Sequence, residues 1–240
     1  MGSRRYDRFD SAIPGITEKL FNKSKFLKYY DRTESCPCYD DVIDSLLALD
    51  GIDDRSHPVC RMIKDESADY DVIKTYTSEH RYRSKAFYSY VNKQLLKDRK
   101  SRLEHLMPFI RRATHQINHR GPDDSCVVYR GMDLNREQVR FFTPGKIFRF
   151  PGFTSTTTDR SVAESFGDIL FKIRVPADIS QARNIADISC FPSEDEWLFV
   201  PYSRFKVISS ENRKITLEAK DNLEDVSEST TSSDESSDTD

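Results

Sequence analysis

The chain has 240 residues, 37% hydrophobic and 32% charged, a balance that fits a soluble globular body whose core needs no disulfide or metal staple. Its longest apolar runs are a few residues, far short of the roughly 20 that a membrane-spanning helix needs. The net charge of -3 is uneven: residues 221–240 hold eight acids and no Lys or Arg, which leaves +5 on a mildly basic body able to attract an anionic ligand.

Residues 1–6 are basic, but no apolar stretch follows, so no secretory signal is expected. Gly2 is not followed by the Ser or Thr that N-myristoylation wants, because position 6 is Tyr6. Leu20, Phe21, Phe26, Leu27 and Tyr30 recur at helical intervals, with a weak stretch at 22–25. Asp40 and Asp41 predict the start of a second helix, with Val42, Ile43, Leu46, Leu47 and Leu49 on one face and Asp50-Gly51 as its stop. Residues 51–69 are polar and read as loop. An apolar pattern resumes at 70–75, and Ser78-Glu79 predicts a helix running to Lys97 with Phe87, Tyr88, Val91, Leu95 and Leu96 buried. Ser101-Arg102-Leu103-Glu104 has the form of a capping box, heading a helix that turns Leu103, Leu106, Met107, Ile110, Ala113 and Ile117 inward. Its Lys and Arg residues read as a wet face, so composition does not favour nucleic acid as a partner.

After Gly121-Pro122 the pattern turns to strands. They are predicted at 126–131, 147–157, 169–175, 197–200, 204–208 and 214–218, with a helical turn at 161–166. Helices first and strands second predict an α+β fold, an N-terminal helical region packed on a mixed β-sheet core. The expected divisions are 1–66 as a helical extension, 67–220 as the catalytic domain and 221–240 as an acidic, disordered tail. Five cysteines in no framework spacing point to a reducing compartment, so action in the cytoplasm is expected, with export left open. Cys36-Pro37-Cys38 with His57 and Cys60 lacks the usual zinc gaps, and no metal is expected. His115 and His119 share a helix face without an acidic ligand and read as surface residues.

Glu194 and Glu196 stand one residue apart before an apolar run. If Glu196 opens a strand, alternation puts both carboxylates on one side of the backbone, facing one cleft. Like charges that close repel, so the pair is kept more readily where something cationic or electron-poor sits between them; a solvated acidic turn is the plain alternative. Arg130 before Gly131, the hydroxyl pair Ser155 and Thr156, and the two glutamates thus stand at three strand ends, in that order.

Those residues and their surroundings resemble the arginine-specific mono-ADP-ribosyltransferases, whose pattern is an arginine, then Ser-Thr-Ser, then Glu-x-Glu. The likeness includes Val128-Tyr129-Arg130-Gly131, Gly152-Phe153-Thr154-Ser155-Thr156-Thr157, Ser165-Phe166-Gly167 and the run from Ser189 to Glu196, with Tyr76-Thr77, Tyr88 and Asn92 in the helical part. It extends over roughly residues 68–210. Thr157 replaces the last serine of the middle motif, and Trp197 stands where a small aliphatic residue is usual; alternation would turn Trp197 away from the carboxylates. The resemblance implies an enzyme that moves ADP-ribose from NAD, consumed as co-substrate without a metal, to arginine on a protein partner, with release of nicotinamide. It implies that Glu196 stabilises the electron-poor ribose, Ser155 orients Glu196, Arg130 pairs with the dinucleotide phosphates and Glu194 serves the acceptor. Gly131, Thr156 and Phe166 would complete the NAD site, Phe166 as a stacking face for nicotinamide. The alternatives are an NAD glycohydrolase, a toxin-like transferase with another acceptor, and a non-catalytic interaction module.

Overall fold

The computed structural model describes residues 14–63, 71–119, 121–177 and 179–222. The tail from Leu223 onward, expected to be disordered, lies outside the described residues, as do residues 1–13. The helical part comprises α1 (Glu18–Phe21), α2 (Lys25–Tyr30), α3 (Tyr39–Leu47), α4 (Pro58–Met62), α5 (Asp71–Thr77), α6 (Phe87–Lys97) and α7 (Lys100–Asn118), with β1 (Arg81–Tyr82) and β2 (Lys85–Ala86) set between α5 and α6. The strand-rich part follows: β3 (Cys126–Met132), α8 (Arg136–Arg140), β4 (Ile147–Arg149), β5 (Thr154–Thr157), α9 (Arg160–Glu164), β6 (Ile169–Val175), β7 (Ala182–Asn184), β8 (Glu196–Phe199), β9 (Arg204–Glu211) and β10 (Lys214–Lys220). The α+β expectation holds. Among the described residues no helix is long and apolar enough to cross a membrane.

Three local expectations are corrected. The helix foreseen from Ser78 begins only at Phe87, because Arg83 and Ser84 both take positive φ (50° and 63°) and close a two-residue hairpin between β1 and β2. That left-handed pair is the turn geometry whose twist matches antiparallel strands. The Ser101 capping box does not form: α7 starts two residues earlier with Arg99 as its N-cap, and the box with both reciprocal bonds belongs to Asn135 and Gln138 at α8. The strand foreseen over 147–157 is two strands, broken at Pro151-Gly152, where proline cannot donate to a ladder. Elements α4, α8 and β7 went unforeseen; each has three to five residues, too few to show a period.

Eight strands form one mixed sheet in the order β4-β9-β10-β6-β3-β5-β8-β7, in which β10 and β6 are parallel and the other pairs antiparallel. Strand alternation sends Trp197 and Phe199 to one face and Leu198 to the other. The first face carries an aromatic core with Phe142, Phe148, Phe150, Phe171 and Phe205. The second packs on the helices, where Leu198, Val200, Ile185 and Ile188 join Val91, Leu95, Leu106 and Ile110. Residues of the N-terminal segment belong to that second core: Phe26 stacks on Tyr202 at 4.2 Å, and Ile16 bridges Arg149 through two backbone bonds of 2.8 and 2.9 Å. Asp98 supplies a cap for α2 from another helix, its carboxylate accepting from the Lys25 and Phe26 N–H groups at 2.7 Å each.

Candidate active site

The sheet is weakest between β3 and β5. Strand β3 pairs with β6 over its whole length but meets β5 only at Tyr129 and Thr157. At this seam a side chain replaces the missing ladder: the Arg130 guanidinium donates from Nη1 to the Ser155 carbonyl at 2.6 Å. Arg130 is half-buried, and burial lowers its pKa while Tyr76 and Glu196 raise it. A guanidinium keeps its charge under ordinary conditions, so Arg130 is a half-buried cation with donors to spare.

Across β5 stands Glu196, the first residue of β8, 8% exposed. Burial raises its pKa, the nearby charge of Glu194 raises it further, and a hydrogen bond from the Ser155 side chain and the charge of Arg130 lower it. The Ser155 side chain therefore lies beside the carboxylate. Glu194 is exposed, and both glutamates line the same cleft. They converge there by a different route from strand alternation. Glu194 ends a 3-10 turn (Pro192–Glu194), and Asp195 takes the left-handed conformation, φ 46° and ψ 44°, before β8 begins. A non-glycine residue adopts that geometry at some energetic cost, and aspartate is among those that tolerate it best.

Thr157 has a duty that its sequence position did not reveal. Its Oγ1 donates to the Glu194 carbonyl at 3.0 Å and accepts from the Asp159 N–H at 3.1 Å, tying the glutamate turn to the end of β5. Thr156 also lines the cleft, and its hydroxyl donates to the Trp197 carbonyl at 2.9 Å. Trp197 packs in the aromatic core, away from the carboxylates, as alternation required.

The cleft measures about 770 Å³, within the usual size of a small-molecule site. Its floor and walls come from both halves of the chain: Arg130, Ser155 and Glu196 from the sheet, Tyr76, Tyr88 and Asn92 from the helices. Three large apolar side chains are exposed among the described residues, Phe166 at 64%, Tyr88 at 44% and Phe191 at 38%, and all three line this cleft. Phe166 is thus an open aromatic face and not part of the core. Gly131 sets its place. A Cβ on Gly131 would collide with the Ala163 carbonyl of α9, so only glycine lets α9 lie against β3 and deliver Phe166 just beyond its end. Asp159 caps α9, accepting from Ser161 N at 2.7 Å and Val162 N at 3.3 Å. Among the described residues no group of three or more His, Cys, Asp and Glu is placed to hold a metal. His115 and His119 are exposed, and the cysteines, Cys36, Cys38, Cys60, Cys126 and Cys190, are free thiols.

The family model for ART, NAD:arginine ADP-ribosyltransferase, matches residues 68–225. The chain belongs to this family. Every cleft residue named above lies within the matched span. Curated relatives include the erythroblast NAD(P)(+)--arginine ADP-ribosyltransferase of Gallus gallus, 33% identical over 100 residues, which are 41% of this chain and 31% of that protein. NAD(P)(+)--arginine ADP-ribosyltransferase 1 of the same species is 39% identical over 87 residues, 35% of this chain and 25% of that protein. The matches thus span less than a third of either relative. Among solved structures, the ADP-ribosyltransferase Vis superposes with a TM-score of 0.54 at 18% identity, over 91% of each chain. HopU1 of Pseudomonas syringae pv. Tomato DC3000 does so at 0.51 and 21% identity, over 82% of this chain and 97% of its own. Both share the ADP-ribosyltransferase fold with this chain. Arg130, Ser155 and the Glu194/Glu196 pair are gathered on one cleft within the matched span.

Proposed function

We propose that this chain cleaves NAD between nicotinamide and ribose and transfers the ADP-ribosyl group to an arginine side chain of a protein. The observation that carries this reading is Glu196, a carboxylate almost wholly removed from water yet facing the cleft, with the Ser155 side chain, Glu194 and Arg130 near enough to shift its ionisation. As the glycosidic bond breaks, its electron pair moves onto the pyridinium nitrogen and nicotinamide departs neutral. Carbon 1 of the ribose is left oxocarbenium-like, as in glycoside cleavage. A buried carboxylate gains most from a positive charge that develops beside it, because little water screens the pair. Arg130 suits the diphosphate: with one donor held by the Ser155 carbonyl, the rest of its planar fork is free to pair with phosphate oxygens. Phe166 offers its open ring to nicotinamide.

The acceptor guanidinium is cationic and a poor nucleophile, so it must lose a proton as its nitrogen bonds to the ribose carbon. Glu194, exposed at the rim, is where a side chain from another protein can arrive, and it would bind the guanidinium and take that proton. The free thiols fit a reducing compartment for this activity. Incubating the purified chain with labelled NAD and agmatine, an arginine mimic, tests the reading. Nicotinamide and labelled ADP-ribosyl-agmatine should appear together; nicotinamide without the adduct points to a glycohydrolase, and neither product refutes NAD chemistry.

A further inference from the structure

The surface around α6 carries a positive charge that nothing among the described residues balances. Residues 81–102 hold eight Lys and Arg against one acid, Asp98. Asp98 is buried, its carboxylate turned to the Lys25 and Phe26 N–H groups. Of the cations, Arg83 and Arg102 pair with Asp50, and Arg81 donates to the Ser84 carbonyl. The other five, Lys85, Lys93, Lys97, Arg99 and Lys100, make no ion pair among the described residues, and all but the half-buried Lys97 are exposed. They stand close together: the charges of Lys93 and then Arg99 hold the Lys97 pKa below the usual lysine value, with desolvation and Lys85 adding to the effect. Lys93 and Lys97 are four residues apart on α6 and share a face, where like charges destabilise a helix unless an anion comes between them.

The same end of α6 adjoins the root of the acidic tail. The Tyr202 hydroxyl donates to the Leu95 carbonyl in the last turn of α6 at 3.0 Å. The Tyr202 carbonyl accepts at 2.8 Å from Arg149 Nη1, which also donates to Asn222 Oδ1 at 2.9 Å. A single tyrosine thus spans the gap from Asn222 to α6. Beyond Asn222 the sequence to residue 240 has seven acids and no Lys or Arg. Those 18 residues reach up to roughly 60 Å when extended, far more than the length of α6, about 16 Å.

We propose that the acidic segment 223–240 docks on the basic face made by Lys85, Lys93, Lys97, Arg99 and Lys100 of its own chain. Charge complementarity and the position of Asn222 select this occupant: an anion is supplied within the chain, beside the cations that lack one. Several carboxylates spaced along an extended segment suit cations spread along a helix, and the contact is electrostatic, so salt weakens it. Tyr88 and Asn92 of the same helix line the cleft, so the docked segment neutralises the positive field on that side of it. The inference concerns the surface alone and holds whatever the cleft transfers.

Zero-length crosslinking of the full chain by a carbodiimide, which joins carboxylates to lysine amines in contact, tests it by mass spectrometry. The controls are Lys19, Lys206 and Lys220, which stand near Asn222 but outside the basic face. At low salt, crosslinks from the tail to Lys93, Lys97 and Lys100 should exceed those to the controls by about tenfold, as a few exposed ion pairs acting together supply, and at about 1 M salt the excess should vanish. Lys93→Glu with Arg99→Glu should abolish the excess at Lys97 and Lys100 and leave the thermal transition unchanged. Mixing light chains with chains labelled with heavy nitrogen separates the sources, because crosslinked pairs within one chain have one label. Crosslinks spread evenly over patch and controls overturn the proposal, as does an excess that survives high salt or the double variant. Pairs of mixed label overturn it in favour of the tail of a second copy, and absence of tail crosslinks leaves the face to an external anionic partner and refutes it.

Discussion

Glu194→Gln separates the two glutamates. The change keeps the side chain's shape, removes its charge and leaves the backbone carbonyl that Thr157 holds at 3.0 Å. The turn and Asp195 should therefore stay as they are. Proton removal by a positioned group is typically worth 10²–10⁴ in rate, so transfer to agmatine should fall by roughly 10² or more. Water needs no guanidinium site, and Glu196, Ser155 and Arg130 are untouched, so nicotinamide release without agmatine should stay within a few-fold. A second signature comes from electrostatics. The charge of Glu194 is one of the causes that raise the pKa of Glu196. Without it Glu196 ionises at lower pH, and the acid limb of the hydrolysis profile should move in the acid direction. Both products can be followed in one tube across a pH series. Equal loss of transfer and hydrolysis would refute the division of labour, and survival of both would reduce Glu194 to a solvated turn residue.

Glu196→Gln should lower both hydrolysis and transfer by roughly 10² or more while NAD still binds, because the charge it removes matters chiefly in the transition state. The same variant should be more thermostable at neutral pH. A carboxyl whose folded pKa is raised favours the fold below its unfolded pKa, and that contribution is lost as pH rises through the folded value. The gain in Tm should accordingly shrink as the scan moves below about pH 4, where the unfolded carboxyl is also protonated. Gly131→Ala should cost on the order of 1–3 kcal/mol by driving α9 off β3, and should weaken NAD turnover through Phe166 although it touches no charge; differential scanning calorimetry and nicotinamide release check both. Arg130→Lys should weaken NAD binding, since a point charge cannot reproduce the planar fork, and unchanged affinity by calorimetry would make this arginine merely structural.

The parts of the site that were legible in the sequence are those whose chemistry is written in residue type: a cation, a hydroxyl and two carboxylates at strand ends. Alternation placed Trp197 correctly because β8 is a regular strand. It gave the wrong reason for Glu194, because Asp195 in a left-handed conformation leaves no signal that a polar loop residue would not also leave. The helix foreseen from Ser78 failed similarly: a hairpin of two-residue strands is shorter than the windows in which period 2 and period 3.6 can be told apart, and Arg83 and Ser84 are not residues that announce positive φ. The duties of Thr156 and Thr157 were hidden for a tertiary reason. Only the pairing of β5 with β8 shows that one hydroxyl meets Trp197 and the other Glu194.

The seam between β3 and β5 explains why these residues stand where they do. A continuous ladder there would satisfy the backbone with no need of Arg130, but it would leave no opening at which a ligand could meet Arg130, Ser155 and Glu196 together. With a single ladder pair, the Ser155 carbonyl relies on a guanidinium, and the Ser155 side chain lies beside Glu196. In the proposed function Arg130 would thus act twice, on the ligand's phosphates and, through Ser155, on the carboxylate facing the ribose. A lysine could supply charge to the first, but it has no rigid second donor for the Ser155 carbonyl. Its effect on turnover should consequently exceed what weakened binding alone produces, so that kcat falls even at saturating NAD. A variant with raised KM and unchanged kcat would show instead that β5 holds its place without the arginine.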